Sequence, residues 1–479
     1  SGNILTAGNE NGYQVTFTTG DDGTYVSSDV AHELTGLDDV KIFPAYEAKI
    51  GDAHYTTIAK AIAAAQPGET VTILAGSYTT DVSVNKAITV EGERDADGKN
   101  LVNITGSVSV STGATVKNLT VNNEKTGDYA CALVVNGKDI VIDGCELSGY
   151  NAMKYCYAYG DVTIKNSKLT SQVWAIHFDG GADGNVVVDN CEVNGWIAFS
   201  GGLEKVTLKD STFYAGEYAG QRSYADEVVI EGSTFEAGYK LDIAKNGTEV
   251  TVTNSKMADG SSITTLFNSD DACGQNTITI DGEPLVYVAK IGNVYYTTLE
   301  EALENVTDWT TIKLTANATL DYNAREAYGR ATTTDIIIDG QGNTLTLNQK
   351  DSDWSSIGMA NADGKLTLKN MTIEKTGYGD TSGAWNTHAI IFTSNVEMNN
   401  VTVNNGIAVQ NGATLNNVTI TEANGYYGLW INGNGQTVTV NGGSITATNG
   451  GRGIKIADEY VDAPALVNLT VDGTVFNTA

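Results

Sequence analysis

Two short runs, one repeat apart, hold the residues best suited to chemistry. In KYCYAYG (154–160), strand alternation puts Cys156 and Ala158 on one face and Tyr155, Tyr157 and Tyr159 on the other. In WAIHFDGG (174–181), Ile176 and Phe178 take the inward face, so His177 and Asp179 point out. Tyr155 to His177 and Tyr157 to Asp179 are both 22 residues, the same step as Gly144 to Asn166 in the turn repeat below. The spacing predicts lateral neighbours about 4.8 Å apart on one sheet face. Aromatic faces beside a carboxylate and an imidazole suit sugar rings: C–H groups stack on the rings and polar groups take the hydroxyls. A His–Asp pair also has acid–base chemistry. The competing reading is a plain tyrosine-bearing strand surface. Trp174, Trp196, Trp385 and Trp430 lie in irregular segments where alternation does not place them.

Other chemistry is sparse. Asp95, Asp97 and Asn100 form a short oxygen-rich loop that could hold a structural Ca²⁺, without the closing glutamate of an EF-hand. No other cofactor is implied, and no thiol or imidazole cluster has metal-ligand spacing. Cys131 and Cys156, 25 residues apart, read as neighbours on adjacent coils within disulfide reach. Cys145 and Cys191 each follow a turn residue, where a small side chain packs.

These residues sit in a repeat. Asn118, Gly144, Asn166, Asn190, Asp210, Gly232 and Asn254 occupy one recurring position between short strand-like runs, at steps of 20 to 26. Such a period with strand flanks is a β-solenoid. Asn, Asp and Gly at the turn tolerate a left-handed backbone, and stacked Asn amides can bond in a ladder. In VTIKNSKL, Val162, Ile164 and Leu169 point inward. A second module repeats the pattern less regularly at Asn370, Asn400, Asn417, Gly442 and Gly473.

A longer repeat overlies the first. Residues 46–73 and 287–314 align without a gap, sharing Lys49/Lys290, Gly51/Gly292, Tyr55/Tyr296 and Thr57/Thr298 among others. Each copy predicts a short amphipathic helix, about 57–66 and 298–306, capped by its threonine. Such a helix covers the open end of a first coil. Residues 1–45 lack the coil pattern, though GYQVTFTT and GTYVSSD look like strands. The fold class expected is all-β: two tandem right-handed parallel β-helices over 46–285 and 286–479, each opened by a capping α-helix. The chain reads as part of a longer protein.

Composition narrows the partners. Lys and Arg number 28 against 58 Asp and Glu, a net charge of −30. That field repels nucleic acid and anionic membrane surfaces, and disfavours uronate polymers. No apolar run is long enough to span a membrane, so no insertion is expected in this segment.

The lid-plus-coil run AKIGDAHYTTIAKAIAAAQPGETVTILAGSYTTDVSV, continuing into KAITVEGE, resembles the pectate-lyase-like right-handed β-helix superfamily. Within it, the likeness is closest to repeat-bearing, cell-surface or secreted β-helix proteins of gut-type Gram-positive bacteria. The superfamily includes lyases, hydrolases, tailspikes and non-enzymatic adhesins. Lyases of this kind use Asp/Glu-bound Ca²⁺ and usually an arginine base. Here the five arginines, Arg94, Arg222, Arg325, Arg330 and Arg452, form no such motif. Asp270, Asp271 and Cys273, with Arg452 and Lys455, are only faint echoes of a polygalacturonase-type site. The expectation is therefore an extracellular, non-enzymatic module for adhesion to a glycan or other surface ligand. A polysaccharide lyase or hydrolase, and a structural stalk, are the alternatives.

Overall fold

The computed structural model describes residues 46–200, 202–214, 221–267, 275–323, 326–330, 332–351, 355–377, 389–457 and 466–478, and four short strands before residue 46. Asp270, Asp271, Cys273, Arg325, Trp385, His388 and the GTYVSSD run lie outside the described residues. Before residue 46, Ile4–Ala7 pairs antiparallel with Tyr13–Thr16, and His32–Glu33 with Lys41–Ile42. The chain divides into two compact units, Ser1–Leu266 and Phe267–Ala479. Both are built from parallel strands wound as a right-handed β-helix, the hand that strand crossovers take.

The first unit opens on helix α1, Ile58–Ala64. Thr57 is its N-cap, with an extended backbone and a hydroxyl that accepts from Lys60 N. Ile58, Ala61 and Ile62 form the buried face. Both helix ends are held from outside it. Glu47 Oε2 accepts from Ile58 N at 2.9 Å. Lys86 Nζ donates to the carbonyls of Ile62, Ala63 and Ala65 at 3.0, 2.6 and 2.9 Å. A carboxylate at the N-terminus and an ammonium at the C-terminus both suit the helix dipole. In the second unit, α2 spans Leu299–Glu304, capped by Thr298 and burying Leu299, Ala302 and Leu303.

From α1 the strands stack coil on coil. One sheet of the first unit runs from Thr70–Ile73 through Ile140–Asp143 and Val162–Lys165 to Glu249–Thr253. Its inward residues, such as Ile142, Ile164 and Val188, are fully buried. One outward column reads Glu91, Lys117, Asp143, Lys165, Asp189, Lys209, Glu231 in direct register. Charge alternates at every coil, so each lysine lies between two carboxylates. This is the favourable cross-strand arrangement.

The turn repeat adopts the left-handed backbone. Asn118, Asn166, Asn190, Asp210 and Asn254 have φ between 46° and 58°, and Gly144 and Gly232 lie at 66° and 60°. Gly232 is needed for a second reason: a Cβ there would collide with Asp210 Oδ1. Asn190 Nδ2 donates to Asn166 Oδ1, and Asn166 Nδ2 to Asp143 Oδ1, both at 2.8 Å. Asn166 is exposed, so the amide ladder is a surface feature and not a buried one. Just inside it lies a hydroxyl ladder, in which Ser167, Ser211, Ser233 and Ser255 Oγ accept from the amides of Cys145, Cys191, Ser211 and Ser233. In the second unit Asn417 bonds Asn400, Asn400 bonds Asn370 and Asn370 bonds Asp339.

The cysteine pairing read from the 25-residue step does not hold. Cys131 aligns with Asn151, only 20 residues on. Asn136 aligns with Tyr157, which places Cys156 beside Val135. All four described cysteines, Cys131, Cys145, Cys156 and Cys191, are buried and free.

Candidate functional site

An irregularity in the coil stack builds the site. Leu133 pairs with Met153, but Asn136 pairs with Tyr157. The later strand therefore holds one extra residue, a β-bulge. Tyr155 sits in it with φ of 55°. The other left-handed non-glycine positions are Asn, Asp, one Gln and Trp309. A bulky ring in that conformation is strained, and such strain concentrates at functional sites. The next coil slips too: Thr170 pairs with Asn194, Trp174 with Trp196 and Ile176 with Ile197.

Despite the bulge, the predicted lateral pairs form. Cys156 bridges Phe178 in parallel. Cys156 N donates to His177 O at 3.2 Å and Asp179 N to Cys156 O at 2.9 Å. Tyr155 thus lies beside His177, and Tyr157 beside Asp179. Tyr155 and Tyr157 are half-buried, while Tyr159 is exposed.

The His–Asp pair is not an open acid–base couple. The His177 and Asp179 side chains are 15% and 22% exposed. Trp174 stacks on the imidazole, centroids 4.4 Å apart and planes 18° from parallel. His177 Nε2 to Asp179 Oδ1 is 3.6 Å, longer than a hydrogen bond. His177 Nδ1 and Asp179 Oδ2 are shielded from solvent and make no hydrogen bond. Burial lowers the imidazole pKa, against the pull of the Asp179 carboxylate. His177 is therefore neutral at neutral pH.

The dominant cation is Lys154, which sequence reasoning passed over. Alternation puts residue 154 on the inward side with Cys156, and an inward lysine was the missed signal. Its side chain is 7% exposed and ion-paired with Asp128. Tyr155 Oη donates to the other Asp128 oxygen at 3.2 Å. The bonds from Lys154 and Tyr155 hold the Asp128 carboxyl below its usual range. Burial, then the bond to Asp128, pushes the Tyr155 phenol up to about 12.

Around this ion pair the rings line up, one per coil. Tyr129 stacks on Tyr155 at 5.0 Å and 9°. The Lys154 ammonium lies 4.9 Å from the Tyr155 ring and 5.9 Å from the Trp174 ring, within cation–π range. Trp174 meets Trp196 at 4.8 Å. Two coils beyond His177 the register leads to Arg222, whose Nε donates to Asp242 Oδ2 at 2.7 Å. Tyr159, though exposed, is not a member of this succession of rings.

The candidate calcium loop is organised by its own hydrogen bonds. Asp95 Oδ1 accepts from the amides of Asp97 and Lys99 at 3.0 and 2.8 Å. Asn100 Oδ1 accepts from Arg94 Nε at 3.0 Å, and its amide donates to Gly144 O at 3.0 Å. The Asn100 oxygen thus faces a guanidinium, a poor arrangement for a cation ligand. Among the described residues no group of three or more His, Cys, Asp or Glu is placed to hold a metal ion.

Residues 295–410 match the family described as a putative pectate lyase-like adhesive domain. The resemblance to pectate-lyase-like β-helices therefore holds. The matched stretch lies in the second unit, and the ring ladder in the first. A search of curated proteins finds no match. Among solved structures, a pectin methylesterase from Aspergillus niger is similar at 20% identity. It covers 46% of this chain and 87% of its own, with a TM-score of 0.32. The PL6 family alginate lyase AlyGC is 9% identical, covering 87% and 98%, with a TM-score of 0.23.

Proposed function

We propose that this chain is a non-enzymatic adhesive module of an extracellular bacterial surface protein, and that it contacts carbohydrate through the ladder at Tyr155. The adhesive-domain match supports the first part. The observation that carries the second is the succession Tyr129, Tyr155, Trp174, Trp196, one aromatic ring on each of four successive coils. Rings in series offer apolar faces to sugar C–H groups, and the flanking polar side chains meet hydroxyls. Incubation with a panel of plant, mucin and bacterial polysaccharides tests this. The expected result is binding without product release, lost when Tyr129 and Tyr155 become alanine.

One observation favours an enzyme instead. His177 is neutral, and a neutral imidazole beside a carboxylate can accept a proton. Its nitrogens, however, are screened by Trp174, and most glycosidases use two carboxyl groups roughly 5–10 Å apart across the bond. Reducing-end or unsaturated-uronate release that disappears in His177→Ala would establish the enzyme.

A further inference from the structure

The superfamily's lyases point to uronate polymers; the charges at this ladder point elsewhere. Two cations flank the rings, and each already holds a carboxylate. Lys154 is paired with Asp128. Arg222 is paired with Asp242. His177 adds no charge at neutral pH, because burial lowers its pKa. The Asp128 side chain is 67% exposed, so the part of this ion pair that meets solvent is its acid. A uronate carboxylate arriving here would meet that acid first, and would approach within a field of −30.

The surfaces left for a ligand are the ring faces. Tyr129 is 85% exposed and Trp196 37%, at the two ends of the succession. Tyr155 is fixed between them by its left-handed backbone and its bond to Asp128. Rings held in this way lose little freedom on binding. Lys154 fills the gap between Tyr155 and Trp174, and its salt bridge neutralises it there.

We infer that the ladder takes neutral hexose-based glycans and rejects uronate polymers. The inference rests on the carbohydrate reading above and specifies its ligand class. Attraction is then dispersion and hydroxyl hydrogen bonding rather than ion pairing, so binding is insensitive to salt.

The test uses the whole chain, titrated with two neutral probes, galactomannan and mixed-linkage β-glucan, and two anionic probes, polygalacturonate and alginate. Each titration is run at about 50 mM and about 500 mM NaCl, where screening lengths differ severalfold. A neutral probe should bind with affinity unchanged by salt, and Tyr129→Ala should weaken it about tenfold, as loss of a central aromatic contact does. Tyr129 is so exposed that its removal leaves the fold intact, and circular dichroism checks this. Binding of polygalacturonate or alginate that falls with salt and is lost in Arg222→Gln would overturn the charge argument while leaving the carbohydrate reading standing. Failure of all four probes to bind would overturn this inference, and failure of the wider polysaccharide panel as well would remove the carbohydrate reading beneath it.

Discussion

Trp174 lies almost flat on His177, 4.4 Å between ring centroids. That stack turns a histidine placed beside Tyr155 by coil spacing into a buried, neutral group. It also gives His177 a defined effect on stability. Its folded-state pKa is lowered by burial, so the unfolded chain binds the proton more readily. The stabilising contribution of the neutral ring is present above the unfolded value, about 6.5, and is lost as pH falls from there toward the folded value. Urea midpoints of the first unit should therefore drop from pH 7.5 to pH 5. In His177→Gln the drop should be smaller. An NMR titration placing His177 above 6.5 would contradict the assignment.

How much of this was legible follows from what each feature demands of the side chain. A left-handed turn selects Asn, Asp or Gly, so Asn118 through Asn254 announced themselves. Inward strand positions select apolar residues, so Val162, Ile164 and Leu169 did as well. Bulges select nothing so consistent. The extra residue at Tyr155 and the slips around Trp174 shift register without a compositional mark. That is why Cys156 lies beside Val135 and not Cys131, and why the Trp174 stack was not visible. The lateral pairing of Tyr155 with His177 was readable because both lie on the same side of the bulge.

Asn166→Ala should lower the stability of the first unit by about 1–2 kcal/mol, the cost of placing a Cβ residue other than Asn or Asp in the left-handed region. The side chain is exposed and φ is 50°, so backbone conformation and not a buried amide sets the magnitude. Asn166→Gly should cost less than Asn166→Ala. Equal urea midpoints for the two variants would return the effect to the amide bonds with Asp143 and Asn190.

Lys86→Met keeps the aliphatic stem but removes three hydrogen bonds to carbonyls at the end of α1. Hydrogen bonds from a charged donor contribute about 1.5–3 kcal/mol each where buried. Lys86 is only part-buried, and water can replace some of its contacts, so a total loss of about 1–3 kcal/mol is expected. Hydrogen exchange should show the amides of Ile62 to Ala65 losing protection before those of the sheet. Uniform loss across the unit would mean that α1 does not open independently.

Lys165→Glu places a third acid between Asp143 and Asp189 in the alternating column, so that three carboxylates follow one another on successive coils. Lys165 Nζ lies 3.7 Å from Asp143 Oδ2 in the native chain. Like charges directly opposite on adjacent strands cost roughly 0.2–1 kcal/mol per pair, so a loss of about 1 kcal/mol is expected at low salt. High salt should recover most of it. A salt-independent loss would assign the effect to packing of the lysine stem.

The ion pair at the ring ladder makes an ordered prediction. Asp128→Asn leaves the Lys154 ammonium, 7% exposed, without its counter-charge. Lys154→Met replaces that ammonium with an apolar side chain of similar length. Breaking a buried pair from the acid side strands a charge, whereas replacing the cation strands only a carboxylate that already faces water. Asp128→Asn should therefore destabilise the first unit more than Lys154→Met. The double variant should be more stable than Asp128→Asn alone, because the stranded ammonium is gone. A thermal-melt series over the four proteins gives the coupling directly. Strict additivity of the two losses would show that Lys154 is hydrated in solution and that the rings beside it are not held by the pair.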